Sequence, residues 1–237
     1  AGMGENKSNV YKTVLISEEQ KSKWIASGGD PNKSIIIPVP VEIPYYDSIS
    51  YIEEFGWKDK FIFGMHQRDD MHIFSPVPLE AYDEIQNDNT AFLILGGSSN
   101  HRKQAKDYGL KNVEFLDTTS DVALIHKFLN TLDVYAHGRS DGEQCSSAII
   151  EGLSHSLPMI SHTAPSMGQL EQIGDAGIVV DGYDEYAQAM KKMMNNKNYY
   201  VDCKLNASKR YKEIYNVSSI MRNFIELYKE VVSCKVV

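Results

Sequence analysis

Asp133-Val-Tyr-Ala-His-Gly-Arg-Ser-Asp-Gly-Glu-Gln-Cys-Ser-Ser-Ala-Ile-Ile-Glu-Gly-Leu153 is the stretch on which the reading of this chain turns. Its first four residues are a short apolar run of strand type. His137 to Gln144 are polar and carry two glycines, and an apolar helix is expected to begin near Cys145 or Ser146. Strand, glycine-bearing loop and helix in that order make half of a parallel crossover unit. The first amides of such a helix have no partner within it, and small serines leave them accessible. The segment therefore predicts an anion cradle suited to phosphate. Glu151 falls about two turns into the helix, and Glu143 lies in the loop before it. Two glutamates in an acidic chain can be surface charge, but an Ala-Ile-Ile-Glu-Gly-Leu helix has little reason to carry a carboxylate that nothing pairs with.

The same alternation extends outward from this stretch. Lys60-Phe-Ile-Phe63 is expected to end at Gly64, Thr90 to Leu95 ends at Gly96-Gly97, and Asn112 to Leu116 follows; beyond the central stretch come Pro158 to Ile160 and Gly177 to Val180. Six strands separated by helix-length spacers predict an α/β fold with an open, doubly wound, Rossmann-like parallel sheet, and a helical remainder from Asp184 to Val232. Before them stand a strand at Tyr11 to Ile16, a helix opened by the capping pair Ser17 and Gln20, and a strand at Ser34 to Val39. Pro38, Pro40 and Pro44 then stiffen a linker. The strand at Tyr11 to Ile16 is read as lacking a partner of its own, the severed end of an earlier domain. The expected division is 1–44, a remnant of a preceding domain with its linker, and 45–237, the ligand-binding domain.

Composition narrows the function classes. Among 237 residues 42% are hydrophobic and 24% charged, which is globular rather than disordered or fibrous. Lys and Arg total 24 against 32 Asp and Glu, a net charge of -8. That balance speaks against nucleic acid and anionic membranes as partners, so any bound anion must be held locally. No apolar run approaches the roughly 18 residues of a membrane span, and a cytoplasmic location is expected, with peripheral membrane contact open in a longer protein. Cys145, Cys203 and Cys234 are odd in number and lack metal-ligand spacing, and no His pair has zinc-site spacing, so neither disulfides nor a metal site are expected.

The motif Glu143-Gln-Cys-Ser-Ser-Ala-Ile-Ile-Glu151 resembles the Glu-x7-Glu signature of the retaining, two-domain GT-B glycosyltransferases, the glycogen-synthase-like group one family. Ser140 stands where that family favours serine, and Gly152-Leu-Ser-His-Ser-Leu-Pro-Met-Ile160 is similar to its Ala-x-Gly-x-Pro-Val-Ile segment. Gly64 with Arg68, Leu95-Gly96-Gly97, Val113 to Leu116, Gly168 to Glu171 and Asp175 to Gly177 match further pieces in order. The resemblance covers Lys12 to Tyr228 and corresponds to the C-terminal, donor-binding half of the family. There are departures: Gln144-Cys145 replaces Gly-Phe, Leu170 replaces Pro, and Ile73 stands where a lysine is expected five residues after Arg68.

The resemblance implies transfer of a hexosyl-type sugar, with retention, from a UDP- or GDP-sugar to a hydroxyl acceptor on a glycan or lipid-linked carrier. It implies no bound metal or other cofactor, and an acceptor domain that this chain does not contain. Glu143 and Arg68 are then the catalytic candidates, Arg68 as the only Arg or Lys between Lys60 and Arg102. Asp69 and Asp70 are potential competitors for it. Donor contacts are expected from Gly64, Gly97, Phe115, Leu116, Ser140, Cys145, Ser146, Ser147, Ala148 and Glu151. His137 and Arg139, at a strand end, and His66 and His72, beside Arg68, are weaker candidates, and solvated loop positions are the plainer account of them. Tyr199, Tyr200, Tyr211, Tyr215 and Tyr228 read as packing residues. A non-catalytic nucleotide-sugar binding module remains the competing reading, and a nucleotide-binding domain of another class is disfavoured because no GxGxxG or Walker loop is present.

Overall fold

The computed structural model describes residues 10–42 and 48–234, so the expected boundary at 44/45 lies outside the described residues. The strands of the main sheet are β3 (Phe61–Gln67), β4 (Thr90–Gly96), β5 (Val113–Leu116), β6 (Val134–Ala136), β8 (Met159–His162) and β10 (Gly177–Val180), all parallel, in the order β10-β8-β6-β3-β4-β5. From β3 the chain winds outward through β4 to β5, returns to β6 on the other side of β3, and winds outward again. Right-handed crossovers then place the helices of the two halves on opposite faces. This is the doubly wound sheet expected from the sequence. β4 is buried along its whole length, as a central parallel strand must be. Helices α2 (Val77–Asp83) and α7 (Gly182–Asn195) pack together, α3 (Ser99–Asp107) meets α2, and α5 (Ser147–Ser154) meets α6 (Gly168–Ile173) and α8 (Lys197–Arg210). Phe63, Phe92, Phe128, Tyr135 and Met159 form the centre of the core.

Two expectations need correction. β3 does not end at Gly64 but runs on to Gln67, because its register with β4 continues from Phe61↔Thr90 to Gln67↔Gly96. Gly64 is a buried mid-strand residue; a Cβ there would sit 2.5 Å from both the Leu132 side chain and the Leu93 carbonyl oxygen. The N-terminal strand does have a partner. β1 (Thr13–Leu15) pairs in parallel with β2 (Ser34–Ile36), Thr13 facing Ser34, around α1 (Glu18–Ala26). Strand polarity made this invisible along the chain, since parallel partners need a crossover between them. Ser17 caps α1 by accepting from the Gln20 N–H at 3.1 Å, while Gln20 Oε1 accepts from Ile16 rather than from the cap residue.

The C-terminal part is helical as expected: α7, α8, a π-turn at Tyr211–Tyr215 and α9 (Val217–Cys234). Ile220 and Leu227 of α9, with Phe224 and Val231, pack on Ile35 and Ile37 and so tie the end of the described chain to the β1–β2 pair. Tyr215 is buried, but Tyr228 is exposed and is not a packing residue. Among the described residues no helix is long and apolar enough to cross a membrane.

Gly64→Ala is expected to destabilise the protein by about 1–3 kcal/mol through overpacking against Leu132 and the β4 backbone, lowering the melting temperature by several degrees. Thermal unfolding checks this; an unchanged midpoint would mean that the sheet relaxes without cost.

Candidate functional site

Where strand order reverses, adjacent crossovers diverge and leave a crevice at the strands' carboxyl ends. Here the reversal lies between β3 and β6. A cleft of about 430 Å³ opens there, walled by the end of β3, the loop after β6 and the start of α5. His66, Gln67, Arg68 and Ile73 line one side, Tyr135, His137 and Arg139 the other, and Glu143, Cys145, Ser146, Ser147, Ala148 and Glu151 the floor. Of the residues singled out from sequence, the structure thus brings Arg68, Glu143, Cys145, Ser146, Ser147, Ala148 and Glu151 to one cavity. Gly64, Gly97, Phe115, Leu116 and Ser140 are not among its lining residues. Gly97 makes the turn after β4 at φ +75°, its N–H donating to the Gln67 carbonyl at 2.7 Å. Phe115, on the edge strand β5, lies under the Arg102 guanidinium. Ser140 bonds the His72 and Ile73 carbonyls, which fastens the loop after β6 to the loop after β3.

The loop that carries Glu143 is held by a second small sheet. β7 (Gly142–Glu143) pairs in parallel with β9 (Ser166–Met167). Gly142 has φ +74°, and a Cβ at that position would fall on the Ser166 carbonyl, so only glycine admits the pairing. The Glu143 N–H donates to Gln169 Oε1 at 3.2 Å. Ser146 caps α5, and its own N–H donates to Gln172 Oε1 at 2.7 Å. The helix therefore starts at Ser147, with the Ser147 and Ala148 backbone against the cleft. Cys145 is half-buried beside Gln172, and burial raises its thiol pKa, so it behaves as an inert packing group here.

Each carboxylate has an identifiable partner. Glu151 Oε2 meets His66 Nε2 at 2.6 Å, and the Tyr135 hydroxyl contacts His66 Nδ1 and donates to the His66 carbonyl, both at 3.2 Å. The partner that an apolar helix demanded for Glu151 is thus a strand histidine 85 residues away, not a solvated loop residue. Glu143 Oε1 accepts from Arg139 Nη1 at 3.2 Å and lies 3.7 Å from His137 Nε2. Burial alone pushes the Glu143 carboxyl up, but His137, then Arg139 and Ser146, outweigh it and hold its pKa below the ordinary value. Arg68 is two-thirds exposed and pairs with Asp70 at 3.0 Å. Ile73 is buried and apolar where the resemblance placed a lysine. Gln67 Oε1 is buried beside the cleft with no hydrogen-bond partner among the described residues.

His137 and Arg139 were underweighted from sequence, and His66 was misread. The available signal was position, since all three stand at the carboxyl ends of the two strands that flank the reversal. Near the turn after β4, His101 Nδ1 accepts from the Ser98 N–H at 3.1 Å, and burial lowers its pKa to about 4. His126 and His155, joined at 2.8 Å under α5, are also lowered by burial.

The sequence model of the family described as Glycosyl transferases group 1 matches residues 54–210. Among solved structures the chain is similar to Anabaena HepE in complex with UDP, at 17% identity and a TM-score of 0.81, over 93% of this chain and 64% of that one. It is similar also to a glycosyltransferase from Rickettsia africae ESF-5, at 18% identity and TM-score 0.79, over 96% and 65%. A third is sucrose-phosphate synthase from Thermosynechococcus elongatus, at 15% identity and TM-score 0.74, over 93% and 58%. At these identities the likeness is one of fold, and the chain spans less than two thirds of the length of each. No curated protein sequence matches it.

The buried histidines set an expected pH dependence. Unfolded His101 takes up a proton below about pH 6.5, whereas folded His101 does so only near 4. Stability present above pH 6.5 should therefore fall as pH drops from 6.5 towards 4. Urea unfolding at pH 7, 5.5 and 4.5 tests this: His101→Gln should lose less stability over that interval than the unsubstituted protein.

Proposed function

Because the chain belongs to the group 1 glycosyl transferases, we propose that its cleft binds a nucleotide-diphosphate sugar and serves as the donor side of a retaining hexosyl transfer to a hydroxyl acceptor. The observation that carries this reading is that Glu143 and Glu151 line one crevice, across the start of α5, with Arg68 at its rim. In this reading the diphosphate lies over the α5 amides and Arg68. Charge developing on the leaving group is met there by fixed dipoles and a guanidinium, without a metal or other cofactor. Glu151, already oriented by His66, accepts from the ribose hydroxyls. Glu143 faces the transferred sugar as an anion. A phosphate oxygen of the donor takes the acceptor's proton, so no separate carboxylic acid is needed. Arg68 must leave Asp70 to reach the ligand, which its exposure permits.

The acceptor, a glycan or lipid-linked hydroxyl compound, is assigned to an N-terminal domain outside this chain, of which 1–44 is the last part and 45–237 the donor domain. Without that wall the acceptor is neither oriented nor shielded from water, so little transfer is expected from this chain by itself. Ile73 favours a second reading, a nucleotide-sugar binding module without turnover, because one diphosphate cation is missing.

Calorimetry with UDP, GDP and their glucose and mannose conjugates should show binding of one nucleotide series; absence of binding to all at millimolar concentration would remove the donor reading. Glu151→Ala should weaken nucleotide and nucleotide-sugar alike, and Glu143→Ala only the sugar-bearing form. Arg68→Ala should cost about tenfold or more in nucleoside diphosphate affinity, with poor rescue by lysine. Transfer assays on a two-domain protein carrying this chain separate the readings, since the module reading expects binding without product.

A further inference from the structure

Arg139 is absent from every role assigned so far, yet it is the most constrained cation in the cleft. Its Nε and Nη2 donate to the two carboxylate oxygens of Asp141 at 2.6 and 3.0 Å, a bidentate contact that fixes the plane of the guanidinium. The remaining corner, Nη1, donates to Glu143 Oε1 at 3.2 Å. His137 approaches the same oxygen from the other side, and its ring is buried and held through Nδ1 by Ser161 Oγ at 2.9 Å. The main chain of Glu143 is fixed as well, by the β7–β9 pairing and by Gln169. Arg68 offers the contrast: it is two-thirds exposed and bound to a single carboxylate. One arginine is arranged to move and the other to stay.

We infer that Arg139 is a positioning residue of this site: anchored on Asp141, with His137 opposite, it holds the Glu143 carboxylate ionised and in one orientation on the cleft wall. The charge is needed because Glu143 is largely withdrawn from water, and a buried carboxyl without a cation takes up a proton or turns outward. The anchor is needed because an arginine with all its donors free would be drawn to the bound anion instead. Besides His137, Arg139 and Asp141, the titratable groups near Glu143 are Tyr135 of β6, Cys145 on its own loop, and Arg68 across the cleft. Lys23 of α1 lines the adjoining hollow on the far side of the Glu143 segment. Of the cations, Arg139 alone hydrogen-bonds the Glu143 carboxylate among the described residues. That Glu143 faces a sugar rests on the proposed function; that Arg139 holds Glu143 does not.

Two measurements on the full chain test this. Carboxyl ¹³C titration, with Glu143 assigned by its loss in Glu143→Gln, should show the Glu143 pKa raised by about 1 to 3 in Arg139→Gln and by less in Arg139→Lys, which keeps charge but not the fork. An unchanged midpoint in both overturns the proposal. Calorimetry with UDP and UDP-glucose at pH 7 and 5 should show Arg139→Gln losing UDP-glucose affinity, more at pH 5, with UDP affinity changed less than twofold. Equal loss of UDP and UDP-glucose at both pH values would make Arg139 a direct diphosphate contact and overturn the positioning role. If the unsubstituted protein binds neither compound, the nucleotide-sugar reading fails, while the titration still decides the role of Arg139.

Discussion

The reversal of strand order between β3 and β6 is the constraint on which this structure depends. Two adjacent strands whose crossovers leave in opposite directions cannot have the space above their carboxyl ends filled by either connection, and a crevice results. Every polar group of the site is there because one of those strands, or the loop leaving it, delivers it: His66, Gln67 and Arg68 from β3, and His137, Arg139 and Glu143 after β6. The tie between the loops, through Ser140 and the carbonyls of His72 and Ile73, keeps the crevice narrow.

Electrostatics inside the cleft are local. An acidic protein offers no general attraction to a phosphate, so the site has to combine negative groups that orient a ligand with positive ones that receive its charge. It does so by pairing each carboxylate: Glu151 with His66, Glu143 with Arg139 and His137. Paired in this way the acids can be withdrawn from water without losing definite orientations, because the cost of desolvating each is offset by a nearby donor. The exposed pair Arg68–Asp70 is of another kind, weak and easily exchanged.

The N-terminal segment is not a passive remnant. Glu19 of α1 accepts from the Met167 N–H at 2.7 Å, the Glu18 N–H donates to Glu171, and Ser17 donates to Gln144, which in turn bonds Ser166. These contacts fall on β9 and on the residue after Glu143. Gln144, which departs from the family's glycine, is the link, so motion of α1 would reach the Glu143 segment directly. At the opposite end α9 packs on β2, so both ends of the described chain meet on the same small β-pair.

Much of this was legible from residues alone. Apolar period and glycine placement are local, so the six strands, the helical C-terminus and the loop before α5 could be read in order. An apolar helix carrying Glu151 announced that a partner must exist. The identity of that partner could not be read, because His66 lies 85 residues away and reaches Glu151 only once β3 is placed beside β6. For the same reason β1 seemed unpaired, Gly64 was taken for a strand end, and Arg139 and His137 passed as loop residues. Where a strand stops and what its last side chain meets depend on the neighbouring strand's register. Register is set by contacts between segments distant in sequence, so only the tertiary structure decided it.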